Sequence, residues 1–142
     1  MHQDVVILLR SESSGDAGPD AMELTTRGTL EKTDGGLLLR YEESKLTGME
    51  NTRTELLLTP ARVVLRRSGG VNTQMVFEQG LPHTSLYELA FGTLTVEIYT
   101  EALRVKMGEN GGLLDIRYRV ALNQADTSRN RLKLCVRTCE QG

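Results

Sequence analysis

The feature that most constrains this chain is an apolar residue at every second position, repeated in window after window. Leu114, Ile116, Tyr118, Val120 and Leu122 alternate with Asp115, Arg117, Arg119 and Ala121, and Leu132, Leu134 and Val136 alternate with Lys133 and Cys135. The same period runs through Leu94, Val96 and Ile98, and again through Leu103, Val105 and Met107. Successive side chains of a strand point to opposite faces, so each window describes a strand with one apolar and one solvated face. No window holds a helical period over a dozen residues. The chain is expected to be all-β.

Glycine punctuates the pattern. Asp34–Gly36, Ser68–Gly70 and Asn110–Gly112 each divide two strand-like runs, as hairpin turns with positive φ require, and Gly80–Pro82 and Gly92 mark further breaks. These signals predict strands near 3–10, 21–33, 37–44, 53–59, 61–67, 72–78, 83–89, 93–107, 113–123 and 130–138. Segment 11–20 is rich in Ser, Gly and Asp and reads as a mobile hairpin loop. About ten short strands in meander order, with no helix to cover a sheet, leave both edges exposed unless the sheet closes on itself. The expected architecture is a closed or nearly closed antiparallel up-and-down β-barrel, one domain over residues 1–142, with a two-sheet sandwich as the alternative. A Greek-key sandwich needs a long crossing connection, and the connections here are short.

At 142 residues the chain can build a core without disulfides or metals. Its formal net charge of −2 offers no broad field for nucleic acid or anionic lipid, and with 4% aromatics and no Trp it is poorly supplied with stacking platforms. Neither partner is expected. The apolar run Val5–Leu9 is too short to span a membrane, and Asp4 and Arg10 bracket it, which argues against a signal peptide. Cys135 and Cys139 on one extended strand lie about 13 Å apart, beyond disulfide reach. Reduced thiols and a cytoplasmic setting follow as the expectation.

No catalytic signature is present: no phosphate loop ahead of a helix, no zinc-spaced Cys/His set, no nucleophile elbow. No cofactor or metal is expected, since two cysteines alone make a poor metal site. Glu42 and Glu43 are adjacent and face opposite sides of a strand, so they form no acid/base dyad. Polar residues that share parity with apolar ones are more informative. Leu37, Leu39, Tyr41 and Glu43 lie on one face; Thr73, Met75 and Phe77 on another; His83, Ser85 and Tyr87 on a third. If the apolar face is the interior, Tyr41, Glu43, His83 and Tyr87 point inward. Such groups must be paired or solvated, either as an internal network with Arg66 or as the lining of a pocket.

Three segments carry a resemblance: residues 41–56 with Tyr41-Glu-x-Ser-x-Leu-Thr47-Gly48-Met49, residues 67–88 with Gly70-x-Asn72-x-Gln74-Met75-x-Phe77 and Tyr87-Glu88, and residues 91–100 with Gly92-Thr93. In this order they resemble the YwiB-like family of uncharacterised bacterial β-barrel proteins, over essentially the whole chain. The resemblance implies a lipocalin-like (calycin) barrel of about eight to ten strands. It implies no activity, because the family is of unknown function. The Ser/Gly-rich 11–18 stretch and the Cys-bearing tail depart from the family pattern.

The leading expectation is a non-enzymatic cytoplasmic barrel binding a small molecule in or at the mouth of its interior. The residues expected to line that site are Tyr41, Glu43, Arg66, Met75, Phe77, His83, Tyr87 and Tyr99. Thr47, Gly48 and Met49 are expected to form a barrel-end loop, with Met49 folding over the opening. The alternative is an interaction or structural module whose barrel is filled by side chains. An enzyme using His83 and Glu43 stands behind both.

Overall fold

The computed structural model describes residues 2–15, 18–43, 51–70, 72–89, 92–123 and 125–139. Ten strands follow one another: β1 (His2–Gly15), β2 (Gly18–Thr33), β3 (Gly36–Glu42), β4 (Thr52–Leu58), β5 (Val63–Gly69), β6 (Thr73–Phe77), β7 (Pro82–Leu89), β8 (Gly92–Gly108), β9 (Gly111–Leu122) and β10 (Ala125–Thr138). They form one antiparallel sheet ordered β6-β5-β4-β3-β2-β1-β10-β9-β8-β7. Every neighbour in the sheet is a neighbour in sequence except β1 and β10, which pair from Val5↔Thr138 to Gly15↔Ser128 and join the two halves. The edges, β6 and β7, are themselves consecutive and meet at a seam. A tight turn links them, with Leu81 N donating to the Glu78 carbonyl at 3.0 Å, and the Ser85 hydroxyl donates to the Gln74 carbonyl across the gap. The sheet is thus a nearly closed up-and-down barrel.

Cross-strand register stacks the interior in rows. Leu37, Leu58, Val63 and Phe77 stand opposite one another across β3–β6, and Leu39, Leu56, Leu65 and Met75 form the next row. Ile7, Leu39, Leu56, Phe77, Ile98, Leu114, Ile116 and Leu134 are fully buried. Burying each such side chain contributes roughly 1.5–3 kcal/mol, so these rows are the main source of stability.

Strand β8 carries two apolar sets of opposite parity. Its pairing with β9 shifts register between Thr100 and Ala102, a β-bulge that inserts one residue. Leu94, Val96, Ile98 and Thr100 face inward before it, and Leu103, Val105 and Met107 after it, packed on the core. The two alternating windows of the sequence are one strand bent through a bulge.

The segment read as a loop, 11–20, is largely strand. β1 continues to Gly15 and β2 begins at Gly18, pairing Gly15 with Gly18, while Ser11–Gly15 also pair with β10. Ser11 and Ser13 take the inward parity and Glu12 and Ser14 the outward one, so polar residues on both faces hid the period. The glycine turns divide by mechanism. Gly112 adopts φ +151° and an added Cβ would stand 2.0 Å from the Lys106 carbonyl oxygen. Gly36 has no positive φ; its Cβ would meet the Leu58 carbonyl oxygen at 2.1 Å, so close approach of β4 excludes a side chain there. Cys135 and Cys139 are free thiols.

Candidate functional site

Beyond the two apolar rows, the next row across β3–β6 changes character: Tyr41, Thr54, Arg67 and Thr73 stand opposite one another, all on the inner face. The alternation that buries Leu37 and Leu39 carries Tyr41 inward, and the one that buries Val63 and Leu65 carries Arg67 inward. At this end the barrel is polar; at the other it is filled with Leu, Val, Ile and Phe.

Glu43 follows β3 and continues its ladder with β4, its backbone N–H donating to the Thr52 carbonyl at 2.8 Å. Its side chain is 1% exposed and accepts a hydrogen bond from the Thr54 hydroxyl. Arg67 Nε lies 3.7 Å from Glu43 Oε2, an ion pair without hydrogen-bond contact, and the Arg67 side chain is 19% exposed. Arg67 Nε is buried and has no hydrogen-bond partner among the described residues. Thr100, fully buried on β8, likewise has no partner for Oγ1 among them.

Three buried phenols feel the charge of this cation. Burial raises the Tyr41 phenol far above its usual range and the Glu43 charge adds to the rise; Arg67 and a hydrogen bond with Thr54 work against it. Burial also raises Tyr87, opposed by Arg67 and Thr73, and Tyr118, opposed by Arg67 and reinforced by Tyr87. Tyr118 stands opposite Thr100 in the β8–β9 ladder and packs edge-on against Phe77, ring centroids 4.9 Å apart. Arg67 is the electrostatic centre of the polar end. No three His, Cys, Asp or Glu side chains come together among the described residues. The chemistry on offer is one guanidinium, one carboxylate and neutral hydroxyls, which suits hydrogen bonding rather than proton abstraction or metal ligation.

The candidate residues from the sequence separate into four places. Tyr41, Glu43 and Tyr87 belong to the polar end. Met75 and Phe77 lie beneath it as apolar floor, Phe77 fully buried and Met75 packed on the core. His83 faces inward opposite Ile98, but four residues along β7 from Tyr87, about 13 Å away. There its Nε2 lies 3.0 Å from Glu78 Oε1, so His83 and Glu43 serve opposite ends. Arg66 and Tyr99 point outward: Arg66 stands between Glu55 and Gln74 on the outer ladder, and Tyr99 lies under the Arg119 guanidinium at 4.9 Å. Thr47, Gly48 and Met49 lie outside the described residues.

Arg66 and Tyr99 are corrected by parity. Arg67, two residues after Leu65, takes the inward position, as Thr100 does after Ile98. The signal for Arg67, Thr54, Thr100 and Tyr118 was present as alternation with apolar neighbours.

A family profile described as "Domain of unknown function (DUF1934)" matches residues 7–134. The chain belongs to this family. Its fold is similar to that of the ywiB protein from Bacillus subtilis, known from a crystal structure, with TM-score 0.85 and 18% identity over 98% of this chain and 94% of that one. At that identity the likeness speaks for the fold alone. No curated protein matches the chain. DUF1934 membership and the barrel agree with the resemblance read from residues 41–100, and neither names an activity.

Proposed function

We propose that this DUF1934 protein is a non-enzymatic, cytoplasmic barrel that binds a small molecule at the polar end of its interior. One observation carries the reading: Arg67 presents a buried Nε–H with no acceptor among the described residues, and its charge acts on the buried phenols of Tyr41, Tyr87 and Tyr118. A buried donor left unsatisfied costs about 1–3 kcal/mol, and a ligand oxygen beside Arg67 removes that cost. Glu43 already balances the guanidinium, which favours a neutral or singly charged ligand with a carbonyl or carboxylate oxygen and a hydroxyl. The apolar row of Leu39, Leu56, Leu65 and Met75 gives it a floor. The separation of His83 from Glu43 supports a binding role over an enzymatic one.

The test is native mass spectrometry of the protein purified from its native host, wild type beside Arg67→Met. The reading expects a reproducible small-molecule adduct on the wild type and none on the variant. An adduct-free wild type that also gains no thermal stability from host metabolite extract would refute it. The second reading, a barrel closed by its own side chains, is favoured by the Thr54–Glu43 hydrogen bond and the Glu43–Arg67 pair. It expects that adduct-free outcome.

A further inference from the structure

The outer face of β8–β10 holds six cations in neighbouring ladder positions: Arg104, Arg117, Arg119, Arg129, Arg131 and Lys133. Three ladder rows place them. Ser14, Arg129, Arg119 and Tyr99 form one; Glu12, Arg131, Arg117 and Ala102 the next; Arg10, Lys133, Asp115 and Arg104 the third. Arg129 thus stands directly opposite Arg119, and Arg131 directly opposite Arg117. Like charges in directly opposed positions destabilise a sheet, so the fold gains nothing from this arrangement. The counter-charges are few. Asp115 binds Arg131 through both oxygens at 2.8 and 3.0 Å, Glu101 lies 4.0 Å from Arg119, and Glu12, opposite Arg131, pairs with Arg10 at 2.9 Å. Arg104, Arg117, Arg129 and Lys133 have no ion pair among the described residues.

The outer face of β2–β4 is built differently. There Arg40 pairs with Glu55 and Glu31, and Arg53 with Glu42. The chain's net charge of −2 means that the acidic excess lies elsewhere on the chain, and the total conceals this basic face. On the basic face, a shallow depression of about 590 Å³ opens beside Arg117, Arg129 and Arg131, with Glu12 and Glu101 also in its lining, where the β8 bulge bends the strand.

We propose that this face binds the phosphodiester backbone of a nucleic acid, independently of sequence. Arginine predominates over lysine, and its planar fork matches two phosphate oxygens at once. Tyr99 is the aromatic in these rows, and Arg119 already covers it, so contacts run to phosphate rather than to stacked bases. Outward positions two residues apart lie about 6.8 Å from one another along a strand, giving a regular comb of donors for a repeating anion.

Fluorescence anisotropy with a labelled 20-nucleotide RNA of mixed sequence, and with its DNA counterpart, tests the proposal in 50 mM salt. Binding is expected to both, with log K falling against log salt at a slope near about −3 if four phosphates are neutralised. Arg117→Glu with Arg129→Glu weakens it at least tenfold. Arg27→Glu with Arg66→Glu, the same change of net charge on outward positions of β2 and β5, leaves it within twofold. The first pair sets Glu opposite Arg131 and Arg119, so its melting temperature is unchanged or higher; should it nevertheless unfold, Arg117→Gln with Arg129→Gln shows the same order with a smaller loss. Absence of binding to either strand overturns the proposal. So does equal weakening in the two double variants, or tighter binding to polyglutamate or phosphatidylserine vesicles than to RNA.

Discussion

Arg67 and Glu43 face each other inside the barrel at 3.7 Å, with the carboxylate almost wholly buried and the guanidinium only partly so. Removing one partner of such a pair strands the other. Arg67→Met is expected to cost about 3 kcal/mol in urea denaturation, while Glu43→Gln with Arg67→Met recovers more than half of it, because no charge is left unpaired. Losses that simply add in the double variant would show that the two side chains are not coupled.

Thr54 donates to Glu43 from a fully buried position. Thr54→Val keeps the shape and removes the donor, so a loss of about 1–3 kcal/mol is expected. Thr25→Val on the exposed face of β2 serves as control and should change stability by less than about 0.5 kcal/mol. Similar losses at both sites would mean that the Glu43 contact contributes nothing.

Burial raises the pKa of Tyr41, Tyr87 and Tyr118 above the ordinary value of 10.0. For an acid with a raised folded pKa, the unfolded state releases its proton first as pH climbs. Stability is therefore full below pH 10 and declines as pH rises beyond it. Absorbance at 295 nm should show these phenols ionising late, above pH 10 and with unfolding. Complete ionisation of all four tyrosines near pH 10 in a folded protein would contradict the buried cluster.

Gly112→Ala places a Cβ against the Lys106 carbonyl at a φ that side chains avoid, whereas a Cβ at Gly35 meets nothing within 4 Å. The first substitution should destabilise by more than about 2 kcal/mol and the second by less than about 0.5 kcal/mol. Equal effects would place the β8–β9 hairpin in another register.

Period-two alternation made all ten strands legible, because a half-buried strand cannot avoid writing its apolar face into the sequence. It failed at 11–20, where Ser11 and Ser13 face inward and Glu12 and Ser14 outward, leaving no contrast between faces. It had enough information to choose Arg67 over Arg66, since Val63 and Leu65 fix the parity; residue type alone does not decide between two adjacent arginines. The end at which an inward side chain sits is another matter. His83 and Tyr87 share a face four residues apart, about 13 Å along β7, but which of them stands in the row of Arg67 is set only by the pairing of the strands. The neighbours of Arg67 come from β3, β4, β6, β7 and β9, so the cluster exists only once the register is set.

The most direct test of a ligand at the polar end is a crystal structure of the protein purified from its native host. The account predicts non-protein density at the polar end, with an oxygen at hydrogen-bond distance, about 2.9 Å, from Arg67 Nε. A polar end closed by side chains and water alone, with Arg67 fully hydrogen-bonded to protein, would contradict it.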